Sequence, residues 1–192
     1  MKILLKLVWI ALSTEGDEQV NRVTECKRTM TYLTEILKDG AMLSLLASAW
    51  LILALRINPR IFLHDYPPQI QESVPKKTQY ENNLSVVFGV PFLLLLLLGP
   101  FFSTLSLKEQ GNGAFWALWL NAAGVGFIFN LVDWLILDWL LFCTLTPRFL
   151  VIPGTERMAA YKDYGFHFHG FLHGTVYSTF GGLIIAGIVS IL

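Results

Sequence analysis

Charge is what this sequence has least of. Only 15% of its 192 residues are charged, against about 25% in soluble domains, and the deficit points to lipid as the solvent. Net charge is zero, and no basic stripe alternates with aromatics, so a nucleic-acid partner has no electrostatic footprint. Cysteine is scarce too. Cys26 and Cys143 stand far apart with no CxxC, no zinc-type spacing and no disulfide framework. There is no H-E-x-x-H and no G-x-S-x-G, which leaves zinc-protease and nucleophile-elbow chemistry without a signature. No P-loop and no G-x-G-x-x-G occurs either, so nothing marks the use of nucleotide energy.

What the chain has is apolar length: 54% hydrophobic residues and a mean hydropathy of +0.55. A spanning helix needs about 20 apolar residues. Residues 84–107 contain no charge and give the clearest span, with Pro91 expected to kink it. Residues 113–132 are also uncharged, and their apolar pattern runs on past Asp133 and Asp138 to Leu145. Residues 168–192 give a span that ends with the chain. Residues 40–57 are the short one, and they cross only if Arg56 snorkels to the interface. The expected fold is therefore an all-α polytopic membrane bundle, with about four transmembrane helices near 40–60, 84–107, 114–145 and 168–191. Its transmembrane domain covers 40–192.

Residues 1–39 differ in kind. "MKILLKLVWIALS" loosely resembles a signal peptide, although Lys6 interrupts its core. From 17 to 39, Val20, Val23, Met30, Leu33 and Leu37 fall near helical spacing among many charges, the pattern of a peripheral amphipathic helix. A competing reading starts translation at Met30 or Met42 and makes the upstream stretch a gene-model extension. The two long loops, 58–83 and 147–164, hold Arg60, Lys76, Lys77, Arg148, Arg157 and Lys162, whereas the short loop at 108–112 holds Lys108 alone. The positive-inside rule makes the long loops cytoplasmic. The lysines and arginines of the N-terminal segment argue the opposite unless that segment is removed.

Two patterns carry function. Gly170, Gly174, Ser178, Gly182, Ala186 and Ser190 form a row of small residues at every fourth position, a face made for close helix packing. The expected partner is the third span, with Ala117, Asn121, Ala122, Gly124 and Gly126. A partner helix from another protein or a homo-oligomer is the alternative. The second pattern is a one-sided convergence of ionisable groups. Trp116 and Trp139 are 23 residues apart, about 34 Å of helix, which places Asp133 and Asp138 toward one leaflet. His167, His169 and His173 reach the same leaflet, as do His64 and Asp65.

His169 and His173 are one turn apart and share a helix face. With Asp133 and Asp138 they are the candidate catalytic acid–base groups. His169, His173, Asp138 and His64 are the candidate ligands for a divalent metal. His167 suits an interfacial belt. Five residues apart on an α-helix is about 140°, so only one of the two aspartates should face the bundle. The other should reach headgroup water, Arg148 or Arg157. The expected contact runs from Asp133 or Asp138 to His169 or His173.

Di-iron membrane hydroxylases resemble this chain in their histidine clusters, but need more histidines than its four. Intramembrane aspartyl proteases require a GxGD signature and two facing spans, and the sequence has neither. The blocks "LHDYP", "DWLILDW", "VIPGTE" and "YKDYGFHFHG" resemble small hypothetical polytopic membrane proteins of bacteria over residues 42–192. That resemblance implies a multi-pass protein of the bacterial inner membrane and adds no chemistry. Three functions compete. The first is a membrane-embedded enzyme using His and Asp on a lipid-like substrate. The others are a small cation or proton transporter, and a non-catalytic scaffold among membrane lipids.

Overall fold

A computed structural model describes the backbone of residues 2–192, together with the side chains of Arg22 and of residues 29–192. Among the described residues 82% are helical and there is no strand. Four helices are long and apolar enough to cross a membrane: Thr29–Ile57, Gln79–Glu109, Phe115–Leu145 and Tyr164–Ile191. The protein is a multi-pass, all-α membrane bundle. The chain divides into two units, Met1–Ile36 and Leu37–Leu192, and the candidate site residues all belong to the second. Of the residues that suggested an amphipathic N-terminal helix, Val20 and Val23 lie outside the described side chains.

Helix α1 covers Lys2–Ile57, α2 Pro68–Glu72, α3 Gln79–Glu109, α4 Phe115–Val132 and α5 Tyr164–Ile191. Helix α3 begins with a capping box in which Glu81 N donates to Thr78 Oγ1 (3.2 Å) and Thr78 N donates to Glu81 Oε2 (2.7 Å). Helices α1 and α3 are tied by polar bonds that lipid cannot replace: Trp50 Nε1 donates to Phe88 O (2.9 Å) and Ser103 Oγ to Asp39 Oδ2 (2.6 Å).

The closest pair is α4 and α5, and the small-residue row is the reason. A Cβ on Gly182 would stand 2.8 Å from the backbone nitrogen of Ala123, and one on Gly174 would overlap the Asn130 amide. Ser178 Oγ sits 3.1 Å from where a Gly126 Cβ would be. A side chain at Gly182 would force the backbones apart, and one at Gly174 would displace the Asn130 amide. Polar bonds then lock the contact. Asn130 Nδ2 donates to Phe171 O (2.9 Å) and Thr175 Oγ1 (3.1 Å), and Trp119 Nε1 donates to Thr179 O (3.1 Å).

The two long loops fold against each other as a cap on one end of the bundle. A 3-10 helix at Pro59–Asp65 precedes α2, and another at Ala159–Lys162 precedes α5. Leu63, Tyr66, Ile70, Leu150, Ile152 and Tyr161 from these loops form one core with Phe142 and Cys143. Tyr66 donates its hydroxyl to Leu150 O (2.9 Å), and burial pushes that phenol well above its ordinary range.

Candidate functional site

The third span does not stay α-helical. From Asp133 to Leu145 it is a π-helix, in which hydrogen bonds run between residues five apart. Thr146 N donates to Leu141 O (2.9 Å) and Thr144 Oγ1 to Trp139 O (2.7 Å), both across five residues. Trp134 and Trp139 meet at 4.6 Å between ring centroids for the same reason. Thr146 ends the segment in the left-handed region at φ 42°. Lys162 gathers the end of the segment, donating to the carbonyls of Cys143 and Thr144 and to Thr146 Oγ1.

This geometry corrects the expectation that Asp133 and Asp138 diverge. Five residues apart on an i→i+5 ladder stack on one face, and both aspartates line the same two cavities. Among the described residues neither forms an ion pair with Arg148 or Arg157; the only ion pairs at this end are Arg60–Glu81, His64–Asp65 and His167–Asp138. A signal was present in the sequence. "DWLIL" and then "DWLLF" repeat at a period of five, which is the period of this ladder.

The histidine that meets the aspartates is also different from the one expected. His167 Nδ1 lies 3.0 Å from Asp138 Oδ1, and the His167 side chain is 5% exposed. A carboxylate can only accept, so His167 Nδ1 carries the proton of that bond. Nε2 is left without a hydrogen-bond partner, although the buried Cys143 thiol borders the ring. The reason is the phase of α5. Asp163 caps the helix by accepting from Phe166 N (2.9 Å), so the helix is established before His167. The stripe through Gly182, Ser178, Gly174 and Phe171 continues back to His167, not to His169. His169 instead turns outward, its Nδ1 2.8 Å from Gly165 O, and His173 is exposed.

Two cavities meet at this pair. One, of about 400 Å³, is lined by His64, His169 and His173 with Asp65, Asp133, Asp138 and His167. The other, of about 230 Å³, is walled by apolar side chains such as Leu51, Leu55, Phe92 and Leu137. Asp65, Asp133, Asp138 and His167 belong to both. The candidate catalytic and metal-binding residues, His64, Asp133, Asp138, His169 and His173, thus all border the polar cavity. No three of the described His, Cys, Asp or Glu residues stand close enough to hold a metal ion, so the set His169, His173, Asp138 and His64 does not assemble as ligands. It spreads around a cavity.

His64 Nε2 lies 3.3 Å from Asp65 Oδ1 at the rim. The Asp65 side chain keeps 61% of its accessible surface, yet the surrounding protein mass raises its carboxyl above the ordinary value of 3.8. Asp138 adds to that rise, while His64 and Lys77 oppose it. The basic residues near the recess are engaged elsewhere. Arg60 Nε pairs with Glu81 Oε1 at 2.5 Å, and Lys77 Nζ donates to Ile61 O (2.7 Å) and Ser85 Oγ (2.9 Å). Burial lowers the Lys77 amine. No lysine or arginine lines either cavity.

The arrangement can hold and move a proton between a carboxylate and an imidazole, beside an apolar chamber. Compared with protein-family models, with curated proteins and with solved structures, the chain matches none.

Proposed function

We propose that the protein is a membrane-embedded enzyme that performs acid–base chemistry on a lipid-like substrate, with Asp138 and His167 as the proton-handling pair. One observation carries the reading: the 3.0 Å Asp138–His167 pair stands in the wall shared by an apolar cavity and a polar one. An amphiphile that fills both must pass its polar–apolar junction across that pair. Asp138 holds the imidazole in one tautomer and offsets the imidazolium that forms when Nε2 takes a proton. Asp133 sits on the same face as a second carboxylate. Resemblance to small bacterial membrane proteins supports a bacterial inner membrane as the setting.

Two observations weigh on the alternatives. The middle of the small-residue row, at Gly174, Ser178 and Gly182, is occupied by α4 of the same chain, so that part of the face is not free for the partner helix a scaffold would bind. A second polar cluster exists, with Asn121 Nδ2 donating to Ser103 Oγ (2.9 Å) and Thr104 Oγ1 (3.1 Å). A third cavity of about 310 Å³ lies along the bundle between the two clusters, bordered mainly by apolar and small residues such as Leu93, Leu97 and Ile185. Asn130, Tyr177 and Ser178 are its polar lining residues, and no Asp, Glu, His, Lys or Arg joins them, whereas an ion or proton path is marked by ionisable groups along it.

The test is a lipid-conversion assay. Purified protein in proteoliposomes is incubated with total bacterial lipid extract and the products are read by mass spectrometry. Wild type should convert at least one lipid species, and Asp138→Asn and His167→Gln should each slow that conversion about 10²–10⁴-fold. No conversion by wild type, together with proton or cation flux that Asp138→Asn abolishes, would replace the enzyme with a transporter.

A further inference from the structure

Resting on that reading, we propose the substrate class: a two-chain lipid of the leaflet that faces the loop cap. Its head occupies the polar cavity and one hydrocarbon chain enters the apolar cavity beside Leu137. The second chain lies in the groove along α3, α4 and α5.

Connectivity decides the number of chains. Two apolar spaces adjoin the polar cavity, and they do so at different places. The first shares Asp65, Asp133, Asp138 and His167 with it. The second, the cavity of about 310 Å³ along the bundle, shares Asn130, Gly174 and Tyr177 with it. Phe129 borders both apolar spaces. It is 9% exposed, and its ring meets Phe92 edge-on at 6.1 Å between centroids, so it stands as a partition between them. One chain can follow only one side of that partition. Two chains leaving one head fill both, and hydrocarbon is the filling that suits such walls.

Depth decides where the lipid comes from. Helices α3 and α5 both start at the loop cap. The groove therefore runs from Asn130 and Gly174, at the polar cavity, to Ala122 and Ile185, away from the cap. Gly174 and Ile185 are eleven residues apart, about 16 Å of helix, which is half of a hydrocarbon core of about 30 Å. A lipid of the cap-side leaflet keeps its head at that end and sends its chains toward the midplane, which is the course of the groove. The walls suit a chain and not a head. No Asp, Glu, His, Lys or Arg borders the groove, and the Asn130 amide already donates to Phe171 O and Thr175 Oγ1. One glycine serves the groove and not the helix contact. Gly174 and Gly182 face α4 closely, whereas a Cβ on Gly181 would meet nothing within 4 Å, so its missing side chain leaves space for the lipid.

Binding is read without turnover. Full-length protein in neutral maltoside micelles is given an equimolar mixture of total bacterial lipid extract and the same extract treated with phospholipase A2, which leaves single-chain species with the same heads. Retained lipids are counted by native mass spectrometry. Wild type should retain about one two-chain lipid per protein, at least tenfold above single-chain species of the same head. Gly181→Leu fills the groove, and leucine favours a helix over glycine, so the variant should fold and retain at least fivefold less. Ile52→Trp, which fills the other apolar space, should do the same. Gly187→Leu is the control: its Cβ also meets nothing within 4 Å, it borders none of the three cavities, and retention should not change. If Gly181→Leu fails to fold, Leu97→Trp decides the matter, since Leu97 borders the groove and is 49% exposed. Single-chain species retained as strongly as two-chain ones would overturn the proposal, and so would no retained lipid. Unchanged retention in Gly181→Leu would overturn it too, as would equal losses in Gly181→Leu and Gly187→Leu, which mean annular lipid only. Two-chain retention with no lipid conversion would overturn the enzyme reading alone.

Discussion

The two halves of the third span use the same kind of residues for opposite ends. In α4, Phe115–Val132, the i→i+4 ladder presents Ala123, Gly126 and Asn130 to the small face of α5, and the result is backbone contact. In the π-helix, Asp133–Leu145, the ladder lengthens by one residue and the result is alignment of two aspartates and two tryptophans. The first half is built on closeness, and a side chain on the facing Gly182 would meet its backbone. The second half leaves room, and the cavities open beside it. A carboxylate at the centre of a spanning helix costs about 2.5–3.5 kcal/mol. Both aspartates sit where the loop cap, an imidazole and a cavity can offset that cost.

The comparison can be broken most severely at Gly182. Gly182→Leu pushes a side chain into the Ala123 backbone, and should lower stability in detergent by about 3 kcal/mol or more. Thermal unfolding close to that of wild type would mean that the helices separate without penalty. Next is the end of the π segment. Lys162→Met removes donors from two carbonyls and from Thr146, and should cost about 1.5 kcal/mol. Trp134–Trp139 fluorescence should change with it, because the five-residue register loosens. An unchanged tryptophan signal would show that the register holds without Lys162.

Asn130→Leu tests the junction between the halves. It deletes bonds to Phe171 and Thr175, worth about 0.6–1.7 kcal/mol between membrane helices, and a Tm equal to wild type would deny those bonds any role. The smallest effect is a pH trend at Asp65. Its folded carboxyl titrates above the ordinary 3.8, so the folded state holds that proton more tightly than the unfolded chain does. Stability contributed by protonation is therefore present at low pH, and is lost as pH rises from the ordinary value through the folded one. Asp65→Asn removes this loss, so the Tm of the variant should gain on the parent as pH rises. A constant difference across that window would place Asp65 in bulk water.

The spans, the packing row on α5 and the gathering of His and Asp at one end were all legible in the chain. Each depends on local composition: apolar length against bilayer thickness, small residues at a four-residue period, and depth counted from the tryptophans. The pairing was not legible. The sequence alone gives His167 the place of a belt residue and pairs His169 with His173, because the phase of α5 relative to the third span depends on which stripe α4 accepts. The π register was missed although "DWLIL" and "DWLLF" repeat at five.

Composition therefore determined that this is a membrane bundle with ionisable groups at one end, since the free energy of transfer into lipid is a property of each residue where it stands. Tertiary structure decided which groups touch, which cations are tied away from the recess, and that an apolar and a polar cavity share one wall. Those outcomes follow from a ladder lengthened by one residue and from loop contacts between distant segments, such as Tyr66 with Leu150, 84 positions apart. The free-energy differences that select them arise only when distant segments meet.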